Sequence, residues 1–259
     1  MHSGKLSGIF KRVCRAIVAV AGLAAAGAGT AAESDAVPSD SVYVVEARSA
    51  GGAIKRGSAV AIGHDMLLTN CHVTRAATHI QVGRDGYTWP ASVRTGNGEL
   101  DLCILTAPMG GARAARFRDA ASLGVGEQVY AAGYPNGQDI TIRSGVVRAL
   151  HRHENSNVIQ VSAPFDFGAS GGGLFDRYGN LVGVLTFKML GGDDYYFAVP
   201  TEWITRVLAE AARKDDTPAF WERGPGTLPP FLSKIALDSA ARRGAGASAP
   251  VQNHQEDIR

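Results

Sequence analysis

From Ser41 onward the chain alternates short apolar runs with turn residues. Ser41-Val42-Tyr43-Val44-Val45-Glu46 reads as a strand, and Ala59-Val60-Ala61-Ile62 as a second. The turn Gly63-His64-Asp65 leads into Met66-Leu67-Leu68-Thr69, and further strands are predicted at His79–Val82, Trp89–Arg94 and Leu102–Leu105. A linker rich in Ala and Arg runs from Pro108 to about Ser122. A second series then reads Gln128–Ala132, Ile140–Arg143, Gly145–Leu150, Val158–Ser162, Gly173–Phe175, Leu181–Phe187 and Tyr195–Val199, with a hairpin turn over Asp176–Asn180. Short strands at regular spacing, broken by turn residues, predict antiparallel barrels or sandwiches. Two such series predict two lobes. Trp203, Val207 and Ala211 share one helical face, so a helix is predicted from about Thr201, its N-cap, to Arg213. Beyond Asp216 the pattern decays through Pro218, Pro225, Pro229 and Pro230; residues 214–259 are expected to be largely disordered, with at most a weak helix over Phe231–Arg243.

The N-terminus changes the picture of where the chain works. Lys5, Lys11, Arg12 and Arg15 precede a short apolar run, Ala16–Ala28, and small residues at Gly29-Thr30-Ala31-Ala32. That is the layout of a signal peptide over residues 1–32, and it predicts a periplasmic or secreted protein. The run is short for a membrane span, so no stable membrane insertion is expected after cleavage, an uncleaved anchor being the alternative. At 259 residues the chain is long for one domain and short for three. Its formal net charge of +2 gives no electrostatic reason to expect a nucleic-acid partner.

The chemistry is carried by three separated segments. Ser170 stands in Gly168-Ala169-Ser170-Gly171-Gly172, where glycines allow a substrate carbonyl to approach backbone N–H groups. His72 closes the apolar stretch Leu67-Leu68-Thr69-Asn70-Cys71-His72 and is expected at a strand edge. Asp101 precedes the strand of Leu102 and would need a partner once buried. The chain order His, Asp, Ser is that of one of the unrelated folds that carry a nucleophilic triad.

On these residues the sequence resembles the trypsin/chymotrypsin-like serine peptidases, and within them the bacterial HtrA (DegP-like) branch. Gly57-Ser58-Ala59-Val60, Gly126-Glu127-Gln128-Val129, Gly145-Val146-Val147, Gly183-Val184-Leu185-Thr186 and Phe197-Ala198-Val199-Pro200 match in the same order. The resemblance implies an all-β, chymotrypsin-like fold of two six-stranded antiparallel β-barrels, over about residues 40–107 and 122–200, with the helix at 201–213. It implies Ser170 as nucleophile, His72 as general base and acid, and Asp101 as the group that orients the imidazole. Gly168 and Ser170 would supply the oxyanion N–H groups, and Thr186 a hydroxyl for the Asp101 carboxylate. Pro164, six residues before the serine, would form the base of the primary specificity pocket, and Thr186, Phe187 and Lys188 one wall. With no acid at Pro164, small or medium apolar side chains are expected before the cut bond; Asp166 lies close enough to upset this.

The implied partners are polypeptide segments, unfolded or extended, and an oligomer is compatible with the resemblance. No cofactor or metal is implied, and His151-x-His153 reads as surface histidines. A PDZ domain is expected to be absent. Ala169 stands where the family usually has Asn or Asp, and Gly173 where it has proline. These departures motivate a second reading, a catalytically weak or inactive peptide-binding protein of the same fold. An esterase-like hydrolase is a third. Of three cysteines, Cys14 falls in the signal segment. Cys71 and Cys103 flank the triad residues, either as a disulfide or as two buried thiols; the resemblance favours thiols.

Overall fold

The computed structural model describes residues 37–189, 195–210, 231–233, 235 and 251–252. The segment read as a signal peptide and most of the tail lie outside them. Six strands build the first barrel: β1 (Val42–Ser49), β2 (Ile54–Gly63), β3 (Met66–Thr69), β4 (Ala77–Arg84), β5 (Tyr87–Asn97) and β6 (Leu102–Thr106). They close in the order β1-β2-β3-β6-β5-β4, all antiparallel. The inward positions of successive strands, Tyr43, Val45, Ala59, Ala61, Leu67, Val82 and Leu105, form one buried core.

After a short strand β7 (Arg116–Phe117) come β8 (Gln128–Gly133), β9 (Thr141–His153), β10 (Ser156–Val161), β11 (Gly173–Asp176), β12 (Asn180–Met189) and β13 (Tyr195–Pro200). The order β11-β8-β9-β10-β13-β12 closes where β11 meets β12, so the second lobe is also a six-stranded antiparallel barrel. β7 adds to β12 in parallel, and β14 (Val251–Gln252) lies antiparallel along β12 at Lys188–Met189. The expected chymotrypsin-like, all-β architecture is what the chain adopts.

Two differences from the sequence reading have a packing cause. β9 is one continuous strand, where Ser144-Gly145 suggested a break between two. A Cβ on Gly145 would sit 2.1 Å from the Ala163 nitrogen, so this glycine lets a neighbouring chain cross at close range and does not end the strand. Thr201 does not cap the helix with its side chain; its hydroxyl hydrogen-bonds the Arg118 carbonyl, 3.0 Å away. The helix covers Trp203–Glu210 among the described residues.

The barrels meet along two apolar seams. On one, Leu68, Leu102 and Ile104 pack with Val184, Phe187 and Phe197, and the helix adds Trp203, Ile204 and Val207. Phe231, Leu232 and Ile235 are buried in this same seam, and 231–233, at the start of the weak helix read over Phe231–Arg243, are helical. On the other, Val42 and Val60 meet Tyr130, Tyr134 and Phe175. Both seams hold the barrels in fixed relation, which a site shared between them needs.

Candidate active site

His72 lies in α1 (Cys71–Thr74), a single helical turn after β3, and not on a strand edge as its apolar approach suggested. The turn aims the imidazole at Asp101. The His72 Nδ1 atom is 2.7 Å from Asp101 Oδ2, and the His72 backbone N–H donates to Oδ1 at 2.9 Å. Both residues are buried. Asp101 takes φ +55, a left-handed conformation that Asp tolerates better than most residues. Its carboxylate is thereby turned back toward α1. A carboxylate at Nδ1 fixes the proton there and makes Nε2 the basic nitrogen of the ring.

Ser170 arrives from the second barrel, between β10 and β11. His72, Gly168 and Ser170 line one cavity of about 250 Å³ together with Ile54, Lys55, Arg56, Val73, Asn136 and Phe167. The Ser170 hydroxyl donates to the Thr186 carbonyl at 3.3 Å. The backbone N–H groups of Gly168 and Ser170 have no acceptor among the described residues. Gly168 takes φ +91, and a Cβ there would meet the Asn136 nitrogen at 2.5 Å, so only glycine fits this turn.

Comparison with known proteins agrees with this geometry. Residues 57–184 match the trypsin-like peptidase domain family. Over that stretch the chain is similar to a trypsin-like peptidase domain. It is 30% identical over 160 residues to the mitochondrial serine protease HTRA2 of Drosophila pseudoobscura pseudoobscura, covering 58% of this chain and 37% of that protein. Among solved structures it resembles the HtrA-type protease AlgW with a tripeptide, at TM-score 0.64 and 28% identity, covering 70% of this chain and 63% of that one. It also resembles the serine endoprotease of Yersinia pestis, at TM-score 0.62 and 26% identity, covering 70% and 67%. The chain thus spans about two fifths of the length of the curated relatives it matches.

The loop that carries Ser170 is anchored from the opposite barrel by Ser58, a residue that in the sequence stands only within a matching motif. Ser58 on β2 donates through its N–H to the Ser170 carbonyl and through its hydroxyl to the Gly168 carbonyl, both at 2.8 Å. The same hydroxyl accepts the Tyr134 N–H at 2.8 Å, and the Ser58 carbonyl accepts the Thr69 hydroxyl at 2.7 Å. Gly171 approaches so closely that a Cβ would lie 2.0 Å from the Ser58 carbonyl oxygen. A small hydroxyl residue opposite a glycine-rich serine loop is the signal that could have found it.

Ala169 and Gly173, the two departures from the family pattern, have packing reasons. Ala169 is buried against Gly133, and its N–H donates to Asp166. A Cβ on Gly173 would come within 2.3 Å of the Phe175 ring. The loop is braced by backbone and Ser58 hydrogen bonds in place of a side chain at 169.

The specificity residues are less well placed. Pro164 is exposed and does not line the cavity, and neither do Thr186, Phe187 or Lys188. Phe187 is fully buried in the apolar seam, its ring 5.8 Å from that of His72. Thr186 does not bond the Asp101 carboxylate. Its hydroxyl donates to the Val184 carbonyl at 2.9 Å and accepts from Asn70 Nδ2, which also donates to the Asp101 carbonyl. Lys188 Nζ lies 2.8 Å from Asp166 Oδ1 and 4.6 Å over the Phe167 ring.

Cys71 and Cys103 form a disulfide, against the thiol reading. α1 and the start of β6 bring their Cα atoms to 4.9 Å, within bonding range. Gly96 makes room: a Cβ there would meet both sulfurs within 3 Å. The bridge also excludes Cys71 from any dyad with His72. His151 and His153 are half-buried against Phe197 and Trp203, and no cluster among the described residues could hold a metal.

Proposed function

We propose that the chain is an exported serine endopeptidase that cleaves unfolded or extended polypeptides through an acyl-enzyme at Ser170. The observation that carries it is His72, held at 2.7 Å by Asp101 and lining one cavity with Ser170 and Gly168, whose backbone N–H groups have no acceptor among the described residues. For reaction the Ser170 hydroxyl must turn from the Thr186 carbonyl to His72 Nε2. His72 then removes its proton as Oγ attacks the carbonyl carbon, and the Gly168 and Ser170 N–H groups receive the oxyanion. His72 returns the proton to the leaving amine. Water attacks the acyl-enzyme by the same route and restores the serine.

Small or medium apolar side chains are proposed before the cut bond. Asp166, two residues after Pro164, is paired with Lys188 at 2.8 Å, which offsets its attraction for a substrate Arg or Lys. Export rests on the signal-like N-terminus and suits the Cys71–Cys103 bridge, since disulfides persist in oxidising compartments. The test is covalent labelling by a fluorophosphonate. Labelling in the wild type and none in Ser170→Ala is expected, with peptide cleavage lost in parallel. Absence of both in a folded wild type leaves a peptide-binding protein of the same fold. A cleavage profile dominated by Arg or Lys before the cut bond would overturn the apolar assignment.

A further inference from the structure

The cavity at Ser170 is bordered on one side by cations. Lys55 and Arg56 of β2 line it, and no Asp or Glu does. Lys55 is half-buried, its Nζ 3.4 Å from the His72 carbonyl. Burial and the nearby Arg75 both disfavour its charge, and Asp101 opposes them only in part. Asp101 is already engaged by His72, and Arg75 has one buried guanidinium nitrogen without a partner among the described residues. Arg56 crosses Gly137 and meets Glu46 only at 3.7 Å. The neighbourhood therefore carries more positive charge than its own carboxylates balance.

The position of this charge relative to the reaction follows from the proton path. His72 must hand its proton to the departing amine, so the leaving half of a substrate lies on the imidazole side, next to Ile54, Lys55 and Val73. The acyl half has the other side, where β12 offers an edge that already takes β14 as an added strand. We propose that Lys55 and Arg56 form an anion-selecting subsite for the leaving half, so that substrates with Asp or Glu in the first two positions after the cut bond are preferred. An arriving carboxylate supplies the counter-charge that the half-buried Lys55 lacks, and it does so in a cleft where water is partly excluded.

This inference rests on Ser170 being the nucleophile, and the experiment separates the two. The mature chain is assayed against a quenched-fluorescent peptide library varied at each position around the cut, with cut sites mapped by mass. Fluorophosphonate labelling is measured beside it, because that probe has no peptide on its leaving side. The expected result is labelling together with about a tenfold preference in kcat/KM for Asp or Glu over Lys or Arg after the bond, shrinking as salt rises. In Arg56→Glu and Lys55→Gln the acidic-to-basic ratio should fall toward one or invert. The ratio is internal to each variant, and Arg56→Gln serves if a charge reversal does not fold. Labelling with a flat or reversed wild-type profile overturns the subsite and leaves the peptidase standing. An acid preference confined to positions before the bond overturns it as well. Loss of labelling and cleavage together overturns both.

Discussion

His72 and Asp101 come from one barrel and are tied into it covalently, whereas Ser170 comes from the other and is held by hydrogen bonds from across the cleft. The Cys71–Cys103 disulfide joins the residue before His72 to the second residue after Asp101. Two hydrogen bonds then lock the imidazole turn to the carboxylate. The serine loop has no such bridge. Its carbonyls at Gly168 and Ser170 are gripped by Ser58, its Gly171 N–H by the Leu185 carbonyl, and its glycines permit the close approach that makes those bonds short. His72 is thus fixed within its own barrel, while the Ser170 loop, besides its bonds to Leu185 of its own barrel, depends on Ser58 of the other. Such an arrangement ties the geometry of the proposed oxyanion hole to the interlobe seam, and different agents should disturb its two halves.

The largest effect on turnover is expected from Ser58→Ala. It removes the donor to the Gly168 carbonyl and the acceptor of the Tyr134 N–H, both buried. Buried backbone groups left unpaired cost about 1 to 3 kcal/mol each, so the loop should relax. Loss of a whole oxyanion donor costs about a hundred- to a thousandfold, and misplacing one should cost roughly ten- to a hundredfold in kcat with KM nearly constant. Ser58 touches neither base nor nucleophile side chain, so this is a positioning role. A purely structural role would lower the melting temperature and leave kcat per labelled site unchanged, which single-turnover assays on fluorophosphonate-titrated enzyme would reveal.

A reductant should act on the other half. The bridge closes a sequence separation of 32 residues, for which loop-closure entropy gives about 3 to 4 kcal/mol of stabilisation. Reduction, or the double change Cys71→Ser with Cys103→Ser, should lower stability by that order. Turnover at low temperature should fall only a few-fold, because both hydrogen bonds to Asp101 remain. Denaturation with and without reductant measures it. Identical midpoints would remove the covalent half of the contrast.

How far the sequence disclosed this site depends on the range over which each feature is encoded. His72, Asp101 and Ser170 were legible because each sits in a short motif whose order is informative. The strand positions were legible from apolar alternation, since a strand with one buried face imposes period two. The disulfide needed the one-turn helix at Cys71–Thr74, which the apolar run before it disguised as a continuing strand. The role of Ser58 depends on partners 110 and 112 residues away, and Gly145 on the approach of Ala163. The proposed specificity residues show a related limit of range: Phe187 reads as a pocket wall, and the seam holding Phe231 and Trp203 takes its ring.

The smallest and most selective perturbation is removal of one charge from the serine half, at Asp176. Past the loop, β11 and β12 are joined by a turn organised by Asp176, whose buried carboxylate accepts from the Tyr178 and Asn180 N–H groups and pairs with Arg118. Burial by itself would raise the Asp176 pKa, but the Asn180, Tyr178 and Arg118 donors outweigh it and hold the group below the usual Asp value. A group depressed in the folded state contributes its stability above its unfolded pKa, about 3.9, and loses it as pH falls through the lower folded value. Hydrogen bonds to a charged group are worth about 1.5 to 3 kcal/mol, so Asp176→Asn should be less stable than wild type by about that order at pH 7. The difference should begin to shrink near about pH 4 and go on closing as pH falls toward the lower folded value. Glu127, also held low by Arg118, titrates in both proteins and leaves some acid sensitivity in the variant. Turnover at pH 7 should be unchanged, since Asp176 lies at the far end of β11 from Ser170. Urea midpoints of both proteins from pH 7 down to about pH 3 decide this, and parallel curves throughout would show that the turn's charge does not stabilise the serine half.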